Sequence, residues 1–242
     1  MNNHKKLAVI TGATSGIGLE LAKILSAQGN PLLLIGRRQQ RLDEINLSNC
    51  LKKAVDVTDY EGLSLAIKEA ESIYGDVDLM VNNAGLMQLG DVETQSIKQW
   101  EDMLNTNVKG VMYGSKIVLP NMKKNKHGTI INISSVAGKK VTPERSGYCA
   151  SKFAVSAFTE GLRIEACHHN VRVVAVCPGV VDTELQSHTT EEKYKDSVMK
   201  IGKDEKLALS AKEIAETIAY IYNLPQKICV RDIIITATAQ ER

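Results

Sequence analysis

The stretch that most constrains this chain is Thr11-Gly12-Ala13-Thr14-Ser15-Gly16-Ile17-Gly18, a glycine-rich turn between an apolar run at 7–10 and a segment of helical spacing at 19–28. The apolar run, partly β-branched and bounded by glycine, reads as a buried strand. Leu19, Ala22, Ile24 and Leu25 give the following segment one core-facing side, and Gly29 ends it. Strand, glycine turn and helix in that order make a phosphate site. The N–H groups and the positive dipole end of the helix point outward, and glycines let a pyrophosphate approach closely. The spacing is GxxxGxG, with glycines at 12, 16 and 18, and not the commoner GxGxxG.

The rest of the chain repeats the alternation that this unit begins. Apolar runs at 31–35, 54–59, 77–81, 129–133, 171–176 and 231–236 read as strands, separated by segments of helical spacing at 60–73, 96–124, 147–168 and 211–222. Thr58 or Asp59 caps the helix that starts at 60. Alternating strands and helices from end to end predict a single doubly wound Rossmann-type α/β domain over residues 1–242, a mostly parallel seven-stranded sheet flanked by helices. With 43% hydrophobic and 4% aromatic residues, the core is built from Leu, Ile, Val and Ala, which suits buried parallel strands. The polar, poorly periodic segment at about 183–210 reads as a mobile lid over the site.

Several function classes are set aside on composition. A net charge of +2 with dispersed basic residues does not suggest a nucleic-acid partner. The cluster Lys123-Lys124-Asn125-Lys126-His127 reads as the cationic end of a helix. The five cysteines form no CxxC pair and read as buried or half-buried thiols of a reducing compartment, and the histidines form no metal-binding pattern, so no metal is expected. No membrane span is expected, and the amino terminus, residues 1–6, shows no signal peptide, so the reading is cytoplasmic.

The end of the second strand selects a cofactor. In dinucleotide folds an acid here binds the ribose 2′-hydroxyl and an arginine accommodates a 2′-phosphate. No Asp or Glu lies between Pro31 and Leu42, whereas Arg37 and Arg38 follow Gly36 directly. With the Thr14 and Ser15 hydroxyls they point to NADP(H). Asp56 is placed to accept from an adenine amino group, and the polar turn Asn82-Asn83-Ala84-Gly85 falls where ligands bind in open α/β sheets. Asn107, in a poor helix-interior run, is either a kink or a functional group.

Tyr148 and Lys152 stand four residues apart, so on a helix they share a face. A nearby ammonium favours the phenolate, so the pair reads either as the chance spacing common on amphipathic helices, which is the more frequent case for such a pair taken alone, or as a tyrosine tuned for proton transfer.

These segments together resemble the short-chain dehydrogenase/reductase family: TGATSGIG at 11–18, DV at 56–57, NNAG at 82–85, LNTNVKG at 104–110, ISS at 133–135, YCASK at 148–152 and PGVVDT at 178–183, in family order. The resemblance implies an NADP(H)-dependent oxidoreductase interconverting a small carbonyl compound and its alcohol. It implies a tetrad of Asn107, Ser135, Tyr148 and Lys152, in which Ser135 and Tyr148 touch the substrate, Lys152 lowers the tyrosine pKa and Asn107 anchors a water leading to Lys152. Ser134 competes for the serine role, and the family's spacing to the tyrosine favours Ser135. The cofactor-binding set it implies is Gly12, Thr14, Ser15, Gly16, Ile17, Gly18, Arg37, Arg38, Asp56, Val57, Asn83, Ala84, Gly85, Tyr148, Lys152, Pro178, Gly179, Val181 and Thr183. It also implies a homotetramer or homodimer paired through the long helices. The VDTEL segment and the carboxyl-terminal residues are similar to bacterial NADP-dependent 3-hydroxy acid (serine-type) dehydrogenases. A non-catalytic NADP(H)-binding regulator on the same fold is the alternative, against which the complete tetrad speaks.

Overall fold

Residues 6–241 are described by a computed structural model. The amino-terminal residues read for a leader otherwise lie outside the described residues. Leu7–Thr11 forms β1, and the glycine turn delivers the chain into α1 (Gly16–Ala27). There follow β2 (Leu32–Gly36), a short α2 (Gln39–Asp43), β3 (Cys50–Ala54), α3 (Tyr60–Tyr74) and β4 (Val77–Asn82). α4 (Ile97–Met103) runs through a π-helical turn, Leu104–Lys109, into α5 (Gly110–Asn125). Then come β5 (Thr129–Ile133), α6 (Ser146–Ala166), β6 (Arg172–Pro178), β7 (Val181–Asp182), α7 (Glu192–Gly202), β8 (Leu209–Ser210), α8 (Ala211–Asn223) and β9 (Asp232–Ile235).

Seven strands make one sheet in the order β3-β2-β1-β4-β5-β6-β9, and every neighbouring pair is parallel. The order reverses between β1 and β4, which opens a crevice at their carboxyl ends. Side chains alternate across the sheet as the strand period requires. Ala8, Ile10, Leu32, Leu34, Leu79 and Val81 join Leu21, Ala22 and Leu25 of α1 and Ile214, Ala215 and Ile218 of α8 on one face. Leu7, Val9, Leu33, Ile35, Val77 and Met80 meet α3, α5 and α6 on the other through Leu63, Ile67, Val118, Met122 and Leu162. Strands buried on both faces have no polar side, which is why their sequences read as continuous apolar runs.

Three expectations change. The third strand is Cys50–Ala54, not 54–59. It is an edge strand of only partial burial, and Lys52 and Lys53 break the apolar signal there. Residues 55–59 form the loop beyond it, where Asp56 Oδ1 accepts from the Thr58 N–H at 2.9 Å and hydroxyl at 2.8 Å. Asp59 caps α3 by accepting from Gly62 N at 3.0 Å. The lid segment is ordered into a 3-10 turn, Glu184–His188, then α7, and a two-stranded sheet of β7 and β8. Its helix was hidden because only a narrow side, with Tyr194 and Val198, is buried. Of the cysteines, Cys149 and Cys177 are buried and Cys50 is intermediate, but Cys167 and Cys229 are exposed; all are free thiols.

A buried polar ladder crosses the sheet beneath the crevice. Asn82 Nδ2 donates to Ser115 Oγ on α5 at 3.1 Å and to Asn132 Oδ1 at 2.8 Å, and Asn132 Nδ2 donates to Thr159 Oγ1 on α6 at 2.9 Å. Removing Asn132 leaves Thr159 and Asn82 short of a partner in a water-free interior. Asn132→Leu is expected to lower stability by about 1–3 kcal/mol, read from the urea midpoint at unchanged slope.

Candidate active site

The floor of the crevice is made where the glycine turn meets the turn after β4. Thr11 Oγ1 donates to Val81 O at 3.3 Å and accepts from the N–H groups of Asn83 at 3.0 Å and Ala84 at 3.1 Å. Asn83 Nδ2 returns to Thr11 O at 2.9 Å and Gly12 O at 3.2 Å. This stitching leaves no room for a side chain at Gly12. A Cβ on Gly12 would lie 2.8 Å from Ala84 Cα, and φ is +64° there and +54° at Gly16, values that favour glycine. Gly18 does not line the crevice. Its place is under the turn, where a Cβ would meet Gly12 O at 2.6 Å.

At the other end, Ser135, Tyr148 and Lys152 are brought together by β5 and α6. All three are buried, at 8, 5 and 5% exposure. Ser135 stands beside Tyr148 and pulls the phenol pKa down. Ser135 Oγ also lies 3.4 Å from Pro178 O and accepts from Ala137 N at 3.1 Å. The neighbouring Ser134 turns the other way, bonded to Lys152 O at 3.1 Å and Ser156 Oγ at 2.9 Å. Lys152 Nζ donates to Ile133 O at 2.8 Å and stands 5.8 Å from the centroid of the Tyr148 ring.

Asn107 sits in the π-helical turn, fully buried behind this group. Its Oδ1 accepts from Leu86 N at 2.7 Å, while Nδ2 donates to Leu86 O at 2.8 Å and to Ser151 Oγ at 3.0 Å. Asn107 thus lies in the helix irregularity that its run suggested, and its side chain links Leu86 to Ser151. The π turn carries one residue more than an α turn, and this aims a polar side chain inward.

Burial sets the protonation states. It pushes the Tyr148 phenol up to about 12, against the pull of Ser135 and of the Arg145 charge. Burial lowers Lys152 to about 8. Lys152, expected to lower the tyrosine, is not among the groups that shift it; desolvation of the phenolate dominates, and Tyr148 stands at neutral pH as a protonated phenol.

Between these ends runs a cleft of about 930 Å³. It is lined by Thr14, Ser15, Ile17, Arg37, Arg38, Asp56, Val57, Gly85, Pro178, Gly179, Val181 and Thr183, besides the groups already described. Gly18 and Asn107 are the two expected residues outside its lining. Arg38 Nη2 donates to Thr14 Oγ1 at 2.8 Å and Ser15 Oγ at 3.2 Å, while Arg37 faces solvent with Asp56 at 3.8 Å. Among the described residues, no cluster of His, Cys, Asp or Glu could hold a metal ion, and no helix is long and apolar enough to cross a membrane.

A family model described as short chain dehydrogenase matches residues 6–194. An uncharacterized oxidoreductase of Staphylococcus saprophyticus is 40% identical over 248 residues, covering 99% of each chain. The chain belongs to the short-chain dehydrogenase family. Two solved members of similar structure are a serine dehydrogenase in a closed form complexed with NADP+ and an archaeal alcohol dehydrogenase from Thermococcus sibiricus complexed with 5-hydroxy-NADP. The first has a TM-score of 0.92 at 29% identity, covering 98% of this chain and 96% of its own; the second has 0.87 at 28%, covering 98 and 99%. This short-chain dehydrogenase is therefore an oxidoreductase.

The cleft of this dehydrogenase also takes residues outside the catalytic and cofactor set read from the sequence: Gln240 reaches back so that its Oε1 accepts from Val180 N at 3.0 Å, and Glu184, His188 and Lys140 enter from the loops around it. The lid also contributes to the site's packing. Tyr194 and Val198 of α7 join Met87, Leu89, Met103 and Tyr148 in one apolar cluster, and the Tyr194 hydroxyl donates to Asp91 Oδ2 at 2.6 Å.

The lowered Lys152 pKa is directly measurable. In ¹³C-lysine-labelled protein, one Cε resonance is expected to titrate near pH 8, well below the usual lysine range, and to vanish from the spectrum of Lys152→Met. A spectrum in which every lysine titrates above pH 10 would contradict the assignment.

Proposed function

We propose that this short-chain dehydrogenase uses NADP(H) to interconvert a small carbonyl compound and its alcohol, with Tyr148 as the proton donor in reduction and the acceptor in oxidation. The observation that carries this reading is the buried Ser135 and Tyr148 hydroxyl pair at one end of a cleft whose other end holds a glycine turn and arginines. The residues fit such a cofactor. Gly12 and Gly16 hold the positive φ that a bare phosphate-facing turn needs, Thr14 and Ser15 offer hydroxyls, and Arg37 presents a guanidinium that is 69% exposed. Pro178, Gly179, Val181 and Thr183 would hold the nicotinamide end, and Asp56 and Val57 the adenine end. The naming of two similar structures as complexes with NADP-type cofactors supports the choice.

The bound cofactor supplies a hydride to the carbonyl carbon, or receives one from the alcohol. Tyr148, held protonated by burial, gives its proton to the carbonyl oxygen. Ser135 Oγ donates to the same oxygen, and both hydrogen bonds strengthen as negative charge builds there, which is what makes them catalytic. The Lys152 charge favours the phenolate left behind. Asn107 is a positioning residue that ties the turn after β4 to α6 through Leu86 and Ser151. Arg145 also lines the cleft, and its charge acts on Tyr148, so substrates bearing a carboxylate are favoured over neutral ketones.

The test is NADPH oxidation with a panel of keto acids and neutral ketones. On any accepted substrate, Tyr148→Phe is expected to lower kcat by about 100-fold or more while NADPH affinity changes by less than about threefold. Retention of full rate would sink the mechanism, and NADPH binding without turnover across the panel would favour the regulatory alternative. The partly exposed Met112 of α5 and Phe153 and Ile164 of α6 lie on the helices expected to pair. Sedimentation equilibrium is expected to give a homodimer or homotetramer, and a monomer at micromolar concentration would contradict that.

A further inference from the structure

The arginines at the end of β2 already hold an anion. Glu184 Oε2 accepts from Arg38 Nη1 at 2.9 Å and Oε1 accepts from Arg41 Nη1 at 2.5 Å. Two guanidiniums thus grip one carboxylate, while Arg38 Nη2 is held from behind by the Thr14 and Ser15 hydroxyls that accept from it. That donor set is the one that suits a phosphate monoester, whose oxygens take the same forked contacts. The carboxylate arrives from far along the chain. Glu184 opens the 3-10 turn just after Thr183, whose Cγ2 lies 3.1 Å from where a Gly16 Cβ would be, so the segment crosses the glycine turn to reach the arginines. The Arg41 and Arg38 hydrogen bonds hold the Glu184 carboxyl down to about 2, and it stays ionised throughout the neutral range.

We propose that Glu184 is a resident competitor for the 2′-phosphate subsite, that Arg38 and Arg41 exchange it for that phosphate when NADP(H) binds, and that Glu184 and Arg41 thereby set the discrimination between NADP(H) and NAD(H). This rests on the NADP(H) reading of the cleft. A phosphate monoester carries about −1.5 to −2 charge at pH 7 and repels a carboxylate on the same guanidiniums, so the two do not share the subsite. A cofactor ending in a 2′-hydroxyl brings no such charge and leaves Glu184 where it is. NADP(H) affinity is therefore reduced by the fraction of protein in which the arginines are occupied, and NAD(H) affinity is not. Arg41, absent from the sequence reading, becomes a phosphate ligand once released.

The test is fluorescence titration of NADPH and NADH onto the full-length protein, Glu184→Gln and Arg41→Gln. Glu184→Gln removes the charge at nearly constant shape, and is expected to tighten NADPH binding by about three- to tenfold, the scale of two partly exposed ion pairs, with NADH moving by less than about twofold. Arg41→Gln is expected to weaken NADPH by about threefold or more and NADH by less. If Glu184→Gln leaves NADPH unchanged or weakens it, Glu184 is inert or clasps the cofactor in place, and the competition is overturned while the cofactor reading stands. If Arg41→Gln leaves NADPH unchanged, the role of Arg41 falls. If the unmodified protein binds NADH but not NADPH, the cofactor reading falls and this inference with it.

Discussion

Thr11 binds the two halves of the sheet at the point where the winding reverses. Its one hydroxyl serves Val81, Asn83 and Ala84, and the Asn83 amide answers with bonds to Thr11 and Gly12. These contacts bring the ends of β1 and β4 so close that position 12 has no room for a Cβ against Ala84 and must be glycine. Everything above depends on that closeness. The N–H groups at the start of α1 face an open crevice, and the turn after β4 is carried to where Asn107 can hold Leu86. From Asn107 the connection passes to Ser151, one residue before Lys152 and bonded to the carbonyl of Tyr148 at 2.7 Å. The glycine-turn end and the Tyr148 end of the cleft are thus joined by short polar contacts through Asn83, Leu86, Asn107 and Ser151.

Most of the fold was legible because parallel strands covered on both sides leave a plain signature. β1, β2, β4, β5 and β6 are each fully buried and mostly apolar runs. The signal failed where burial failed. β3 lies at the edge and carries Lys52 and Lys53, so the more apolar-looking residues beyond it were read as the strand. α7 covers the cleft with a narrow apolar side and is otherwise charged, a composition that a solvent-exposed loop shares.

The candidate site was legible to the extent that its members lie in contiguous motifs. Ser135, Tyr148, Lys152 and the glycine turn belong to such segments and do face one cleft. The pairing of Glu184 with Arg38 and Arg41 was not legible, because nothing in local spacing tells which distant loop folds over which turn. Charge states were the least legible of all. Spacing placed a lysine beside a phenol, but only the depth of burial raises Tyr148 and lowers Lys152.

The π-helical turn between α4 and α5 acts as a register shift within one continuous rod. Deleting a single residue from Leu104–Lys109 would let ordinary α-helical bonding run straight through, and α4 would rotate about 100° around the common axis relative to α5. Trp100, now packed 2.7 Å from the Cβ position of Gly147 at the start of α6, would swing away from that contact, and Asn107 would leave Leu86. A shorter and locally more regular helix would thus disconnect both of its ends from the cleft. Length at this point is as strictly specified as residue identity, and a one-residue gap here in any related chain would mark a differently assembled site.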